Sequence, residues 1–440
     1  ASLGQFDMQR GLSYSFDAVV FNPALLLDHG LTVRTGAYEL GAYAPFSIGE
    51  VGEIDGLGIV LDGSRAASLS AQGQAGGRLA IQTLGFNLRT GNKQLGVYHG
   101  IRTLVSGSVP EDFTALVLAG NARTAGRNLQ VWPGLEGQSF HELGIHQAGA
   151  IGKKWVFGAR LKLLAGNGVA AFDEGNFQVN TNERSLSIAY AADATLRTAG
   201  LDVDLNEPSL TADLDAWKPT AGFGAGIDLG LVWRASPETE LSLAVRDLGA
   251  VRWIRDARKH TIVGQGIFEG ATGNFFGSGA RLAADSVLLG LVDDLGADTE
   301  SEQFTTYLPA TASAQVRHRF SDATSLDAVA IVGRVGDEFR SRVGVGLSQS
   351  FGDVLHLGAV LTRGDGNFTA GARASLMLAG VRAHVALENA GLLFDSDSQR
   401  SAHLRIGASL NLRRVVIEGP KIGWFDDEPS TGRNTPDNYL

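Results

Sequence analysis

The chain has 440 residues, 44 % of them hydrophobic and 19 % charged, with 58 Gly, 11 Pro and no Cys. Glycine is close to twice its usual share without a collagen period, the apolar content is too high for disorder, and the missing thiols exclude disulfide staples and thiolate metal sites. A formal net charge of −10 leaves no basic field to recruit nucleic acid, and no run of about 18 apolar residues is present to cross a membrane as a helix.

The chain starts without Met and without the charged-then-apolar pattern of a leader, as expected of a mature product whose signal peptide has been removed. Residues 1–29 carry "DAVVFNPALLLD", apolar yet broken at Asn22-Pro23. Ahead of a barrel wall, such a segment is expected to fold into the lumen as a plug, with Phe21, Asn22 and Pro23 at its centre; a periplasmic arm is the plainer reading.

From residue 30 onward, stretches of about 10 to 15 residues alternate with period two. Strands are expected near 30–45, 78–90, 93–107, 137–150, 152–166, 168–181, 184–198 and 220–235. They continue near 237–250, 305–320, 323–335, 337–351, 353–363, 366–378, 380–389 and 401–413. They are longer than the roughly 5 or 6 residues usual in soluble sheets and match the 9 to 11 tilted residues that cross a bilayer. Short turns such as 90–93, 236–239 and 351–354 largely alternate with long connections at 46–77, 108–136, 199–219 and 251–303. That alternation is the pattern of an outer-membrane barrel.

The expected fold is therefore all-β: a transmembrane antiparallel barrel of about 16 strands, with 14 as the alternative count. It occupies 30–413 and carries short helices in its loops. One helix is expected at 110–121, between Pro110 and Gly120-Asn121, and another at 281–295. "HTIVGQGIF" (260–268) would break the even strand count and is assigned to the external excursion.

The clearest stretch is "AGFGAGIDLGLVW" (221–233). Phe223, Ile227, Leu229, Leu231 and Trp233 share one face; Gly222, Gly224, Gly226, Asp228 and Gly230 share the other. The bulky face suits lipid, and the glycine face leaves room for a plug or packed interior to approach the wall. Charge on the lipid face costs about 2–4 kcal/mol at the midplane, so the charged residues are expected to point inward. By alternation these are Arg160, Lys162, Asp228, Arg246, Asp247, Arg342, Arg382, His384, Glu388 and Arg405. They would line a channel or pair off in a closed interior. Arg246 and Asp247 are adjacent, which breaks the alternation and points to a β-bulge that redirects one charge.

Catalytic and metal motifs are missing. "HELGIH" (141–146) spaces its histidines five apart on a strand, on opposite faces, where a zinc protease needs them four apart on a helix. "RGD" (363–365) reads as a tight hairpin turn. No metal site, cofactor or enzymatic activity is expected. Beyond the last strand, 414–440 reads as an extended periplasmic tail, with Trp424 and Phe425 as anchors for a protein partner.

"NPALL" resembles the Asn-Pro-Ala element in the hatch of FadL-like fatty-acid transporters. "FGARLKLLAGNGVAAFDEGNFQVNTN" (157–182), "GFGAGIDLGLVW" and above all "VRDLGAVRW" (245–253) resemble an uncharacterised family of Bacteroidota-type outer-membrane barrels, distantly FadL-like. The resemblance spans roughly 14–413. It implies a plugged barrel in the outer membrane of a Gram-negative bacterium, in contact with lipid and passing or holding a hydrophobic small molecule. The alternative it implies is a scaffold subunit of a secretion- or surface-associated complex, docked through the tail and loops.

Overall fold

The computed structural model describes residues 16–27, 30–55, 58–61, 65, 73–116, 120–132, 134–201, 218–268, 295–335, 338–364, 367–394 and 398–412. Its wall strands, numbered in chain order, are β1 (Gly30–Tyr43), β2 (Gly73–Thr90), β3 (Lys93–Val109), β4 (Leu135–Ile151) and β5 (Trp155–Thr181). Next come β6 (Gly222–Arg234), β7 (Thr239–Trp253), β8 (Thr311–Arg319), β9 (Thr324–Val335) and β10 (Glu338–Phe351). The wall ends with β11 (Leu355–Gly364), β12 (Asn367–Leu378), β13 (Val381–Leu387) and β14 (Ser401–Leu412). Each pairs antiparallel with the next, and β14 closes on β1 from Leu31↔Leu412 to Tyr43↔Ser401. The result is a closed 14-stranded barrel.

Fourteen strands, not 16, form the wall, and the correction lies in one place. Gly166-Asn167-Gly168 reads as a turn separating two strands, but the chain runs straight through it as the 27-residue β5. Opposite β4, Ser139 pairs with Gly168 and Phe140 with Gly166, so Asn167 is a bulge rather than a reversal. Below the bulge β5 belongs to the wall. Above it, β5 leaves β6, stays paired with β4 as far as Glu136↔Ala171, and takes the strand Ile188–Ala199 as its other neighbour. That strand pairs with Arg258–Phe268, which pairs in turn with Leu295–Ser301. This small sheet extends the barrel outward, and 260–268 lies in it, outside the wall, as expected. The 281–295 helix expectation falls almost wholly outside the described residues; of the 110–121 helix, Glu111–Thr114 forms a turn that starts after Pro110.

Lengths orient the barrel. The ends of β2/β3, β4/β5, β6/β7, β8/β9, β10/β11 and β12/β13 meet through two to four residues, at the end where β1 begins and β14 ends. The long connections rise from the other end, as in outer-membrane barrels with short periplasmic turns.

Lipid takes the outer face. Phe223, Leu229, Leu161, Leu347 and Leu361 are each exposed by about half there, where apolar side chains are favourable while every backbone amide pairs around the wall. Trp155 and Trp233 pair across β5 and β6 with rings 5.9 Å apart, at the short-turn end. The largest buried apolar cluster sits under the outward sheet, around Trp253, Phe140, Leu164 and Phe304. Gly166 and Gly222, which pair with each other, make space for the Trp253 indole, since a Cβ at either position would collide with it. Its Nε1 donates to Thr306 Oγ1 at 2.9 Å.

Candidate functional site

Inside the barrel, charges from five neighbouring strands converge. The nucleus is the irregularity at 246–247. β6 and β7 pair Ile227 with Leu248 and Leu229 with Val245, so Asp228 faces both Arg246 and Asp247. Asp247 takes φ 59°, a left-handed conformation that Asp tolerates better than most residues. Both Arg246 and Asp247 are thereby turned inward and buried.

Asp228 is fully buried and accepts three hydrogen bonds: Arg160 Nη1 at 2.7 Å, Lys162 Nζ at 2.7 Å and the Asp247 amide at 2.7 Å. Asp247 accepts from Lys162 Nζ at 2.6 Å and from both Arg102 Nη atoms at 2.8 and 3.1 Å. Arg102 also donates to Glu142 at 2.9 Å, and the Tyr98 hydroxyl donates to the same carboxylate. Arg102, Arg160 and Lys162 thus face Glu142, Asp228 and Asp247, three charges of each sign, with Arg246 a further buried cation at the edge. Removing the three pairs from water is tolerable because each charge in them finds an opposite charge at hydrogen-bond distance.

The N-terminal segment rests on this cluster. Helix α1 (Phe16–Phe21) ends there, and Arg160 donates to its last-turn carbonyls, to Val20 at 3.3 Å and to Val19. Such carbonyls lack partners within a helix, and a cation is the group that suits them. The Asn22 side chain accepts from the Ala24 amide at 2.9 Å and donates to the Leu243 carbonyl of β7 at 3.1 Å. Gln94 on β3 holds the amide of Leu27 at 2.8 Å and the carbonyl of Leu25 at 3.2 Å. Gly158 and Gly230, paired across β5 and β6, form the bare patch on which Asn22-Pro23-Ala24 lies; a Cβ at Gly158 would overlap Pro23, and one at Gly230 would overlap Asn22. The guanidinium of Arg246 lies over the Phe21 ring at 5.3 Å and bonds Thr311 at 3.0 Å.

Of the ten charges expected inside, Arg160, Lys162, Asp228, Arg246 and Asp247 are brought together here. The others lie elsewhere, Arg342, Arg382, Glu388 and Arg405 buried and His384 half-buried. Arg405 pairs in register with Glu39 and borders the same interior space. Arg342 donates to Thr362 at 3.2 Å, Arg382 contacts Met377 Sδ at 3.3 Å, His384 stands between Ser375 and Gly407, and Glu388 lies 3.7 Å from His403. Trp424 and Phe425 lie outside the described residues. Tyr98, Arg102 and Glu142 were not singled out from sequence, although Arg102 shares its strand face with Gly96 and Gly100, which was the available signal. His141 and His146 do point to opposite faces of β4: His146 is buried against Asn87 at 2.8 Å, and His141 faces outward.

Two larger spaces flank the cluster. A cavity of about 470 Å³ opens at the short-turn end beside Leu25 and Arg317, and one of about 660 Å³ at the long-loop end beside Arg342 and Arg400. A smaller space of about 50 Å³ adjoins the cluster, lined inside by Arg78, Arg102 and Asp247. It also touches Tyr38, Ile81 and Ile101, which face the lipid side. Next to this stretch the β1–β2 ladder is interrupted: Arg34 pairs with Gly85 and Ala37 with Gln82, with nothing paired in between. The register is the same on both sides of the gap, so the strands part locally without slipping. On their far edges both bulge, β1 at Thr35 against β14 and β2 at Thr83 against β3. The Arg34 side chain donates to Gln82 across the gap.

Among solved structures, the chain is similar to the Pseudomonas putida toluene transporter TodX, with 11 % identity over 91 % of this chain and 95 % of that one and a TM-score of 0.46. A TodX deltaS2S3 mutant, titled a monoaromatic hydrocarbon channel, gives 10 % identity over 90 % and 93 %, with a TM-score of 0.48. The Ralstonia pickettii toluene transporter TbuX gives 12 % over 90 % and 92 %, with a TM-score of 0.44. No curated protein matches the chain in sequence. The family of unknown function DUF5723 matches residues 30–387, from β1 through β13, and the chain belongs to that family.

Proposed function

We propose that this barrel passes hydrophobic small molecules across the outer membrane of a Gram-negative bacterium, with residues 1–29 as its plug and the break between β1 and β2 as a sideways exit. One observation carries the reading. Among the described residues, the ion cluster and residues 16–27 occupy the lumen at mid-height, whereas the wall beside them is unpaired between Arg34↔Gly85 and Ala37↔Gln82. A water-filled pore needs an open axis; a solute that prefers lipid needs only a way through the wall. A space of about 50 Å³ is well below the roughly 150 Å³ in which an aromatic ring fits. Transport therefore requires the seam to widen, against the Arg34–Gln82 hydrogen bond. The alternative, a scaffold docked through 415–440, rests on residues outside those described and gains no support from the wall.

The chain has no cysteine, so engineered pairs report cleanly. Cells bearing the barrel should take up radiolabelled toluene faster than cells without it, and Gln82→Ala should speed uptake further. Oxidising a Gly36→Cys/Thr83→Cys pair should stop uptake until reductant is added. Toluene uptake that ignores the disulfide, or free passage of a small sugar instead, overturns the proposal.

A further inference from the structure

On the outer face of the wall, at the long-loop end, arginine meets phenylalanine three times across neighbouring strands. Arg252 of β7 pairs in register with Phe223 of β6, Arg334 of β9 with Phe339 of β10, and Arg363 of β11 with Phe368 of β12. Each arginine is the next-to-last residue of its strand, and each phenylalanine is the second of its own. All six side chains are exposed, and the guanidinium of Arg363 lies over the Phe368 ring at 5.2 Å. Two residues further down the same strands, the outward positions are Ala250, Val332 and Leu361. The arginines thus stand at the upper border of the apolar band.

Sign and position both carry information. Among the described residues of the wall below the outward sheet, every Asp, Glu, Lys or Arg that faces outward at this end is one of these arginines. No carboxylate among the described residues pairs with Arg252 or Arg363: Arg252 donates to the neutral Gln303 at 3.2 Å, and Arg363 rests on its phenyl ring. The short-turn end is built differently. There Trp155 lies opposite Trp233 and Phe351 opposite Leu355, aromatic side chains with no arginine facing them. Aromatic girdles suit both borders of a bilayer, so the arginines mark one border only. A cation that is costly at the midplane is cheap near the interface, and a guanidinium presents a planar fork to phosphate oxygens. The phenyl ring beside it offers an apolar face to acyl chains. Each pair therefore matches a molecule with phosphate above and hydrocarbon below, whereas a soluble phosphate gives the ring nothing to bind.

We propose that the three Arg–Phe pairs form a rim that holds the phosphate-bearing glycolipid of the outer leaflet, with arginine on headgroup phosphate and phenylalanine among the acyl chains. Arg334 and Arg363 flank β10 and sit opposite its residues Phe339 and Val343, which places their Cα atoms about 16 Å apart. They engage separate phosphates. The inference rests on the outer-membrane placement with the long loops outside, and not on transport.

The test is binding of diphosphoryl lipid A to the full chain purified in detergent, compared with the same lipid stripped of its phosphates, with folding checked by the heat-modifiable gel band. The wild type should bind the phosphorylated form about fivefold tighter, as one arginine at headgroup level gives. Arg252→Gln/Arg334→Gln/Arg363→Gln should lose that preference with the band intact. Lys93→Gln/Lys153→Gln/Lys154→Gln, at the short-turn end, should keep it. Inorganic phosphate in excess should leave the lipid bound; displacement would make this a free-anion site and overturn the proposal. Equal binding of the two lipid forms overturns it as well. So does a preference that survives in the arginine variant or disappears in the lysine variant. Binding is read on the purified protein, so failure here leaves toluene uptake untouched, and failed uptake leaves this result standing.

Discussion

Replacing Asp228 by alanine removes the acceptor shared by Arg160, Lys162 and the Asp247 amide, each at 2.7 Å and all buried. Taking one partner from a buried ion pair costs about 3–5 kcal/mol, because the other charge stays behind uncompensated. The two cations do not double this figure. Lys162 keeps Asp247 at 2.6 Å, and Arg160 keeps the Val20 carbonyl at 3.3 Å. The expected loss is about 4 kcal/mol for Asp228→Ala. Asp228→Asn, which keeps an acceptor for the Asp247 amide, should lose about 2 kcal/mol. A charge-balanced Asp228→Leu/Arg160→Met double should recover part of the single-variant loss, a coupling that a mutant cycle isolates. The assay is urea unfolding from thin lipid vesicles, followed through the six tryptophans. If Asp228→Ala unfolds within about 0.5 kcal/mol of the wild type, the cluster is solvated and the reasoning from burial fails.

Gly158→Val or Gly230→Val should drive residues 22–24 off the wall without unfolding the barrel, read as increased ion conductance in planar bilayers; unchanged conductance would mean that the segment does not obstruct the lumen. Gly166→Ala should displace the Trp253 indole at a cost of about 1–3 kcal/mol, with loss of its near-ultraviolet dichroism. At the long-loop mouth, Glu50 binds Arg400 through Oε2 at 3.2 Å and accepts from the Ser47 amide at 2.7 Å. Burial alone raises the Glu50 carboxyl, but the Arg400 hydrogen bond and charge, with the Ser47 contacts, outweigh it, and the net shift is downward. A carboxyl lowered by folding stabilises above its unfolded value and loses that contribution as the pH falls through the lower folded value. This clasp should therefore hold at neutral pH and open in acid, and being half-exposed it is worth at most about 1 kcal/mol. Spin labels at Ile48→Cys and Ser398→Cys should move apart in acid, and Glu50→Gln should hold them apart at every pH.

Period-two alternation by itself determined which side of each strand meets lipid and which meets the interior, because that property is local: successive side chains point to opposite faces whatever the partner strand. Phe223 to Trp233, the inward Asp228 and the bulge at Arg246-Asp247 were legible on those grounds. Asn22-Pro23 marked a break in an apolar segment for the same local reason. Strand count was not local. Gly166-Asn167-Gly168 has turn composition, and only pairing with β4 made it a bulge in one long strand. The redirection at 246–247 extended to both charges rather than one, because Asp247 adopts a left-handed backbone opposite Asp228. The companions Arg102 and Glu142, the seam between β1 and β2, and the meeting of Arg252, Arg334 and Arg363 with phenylalanines all depend on which strands are neighbours and in what register. Closure of the barrel decides that, since the stagger between strands is set around the whole ring and is carried by no single stretch of chain.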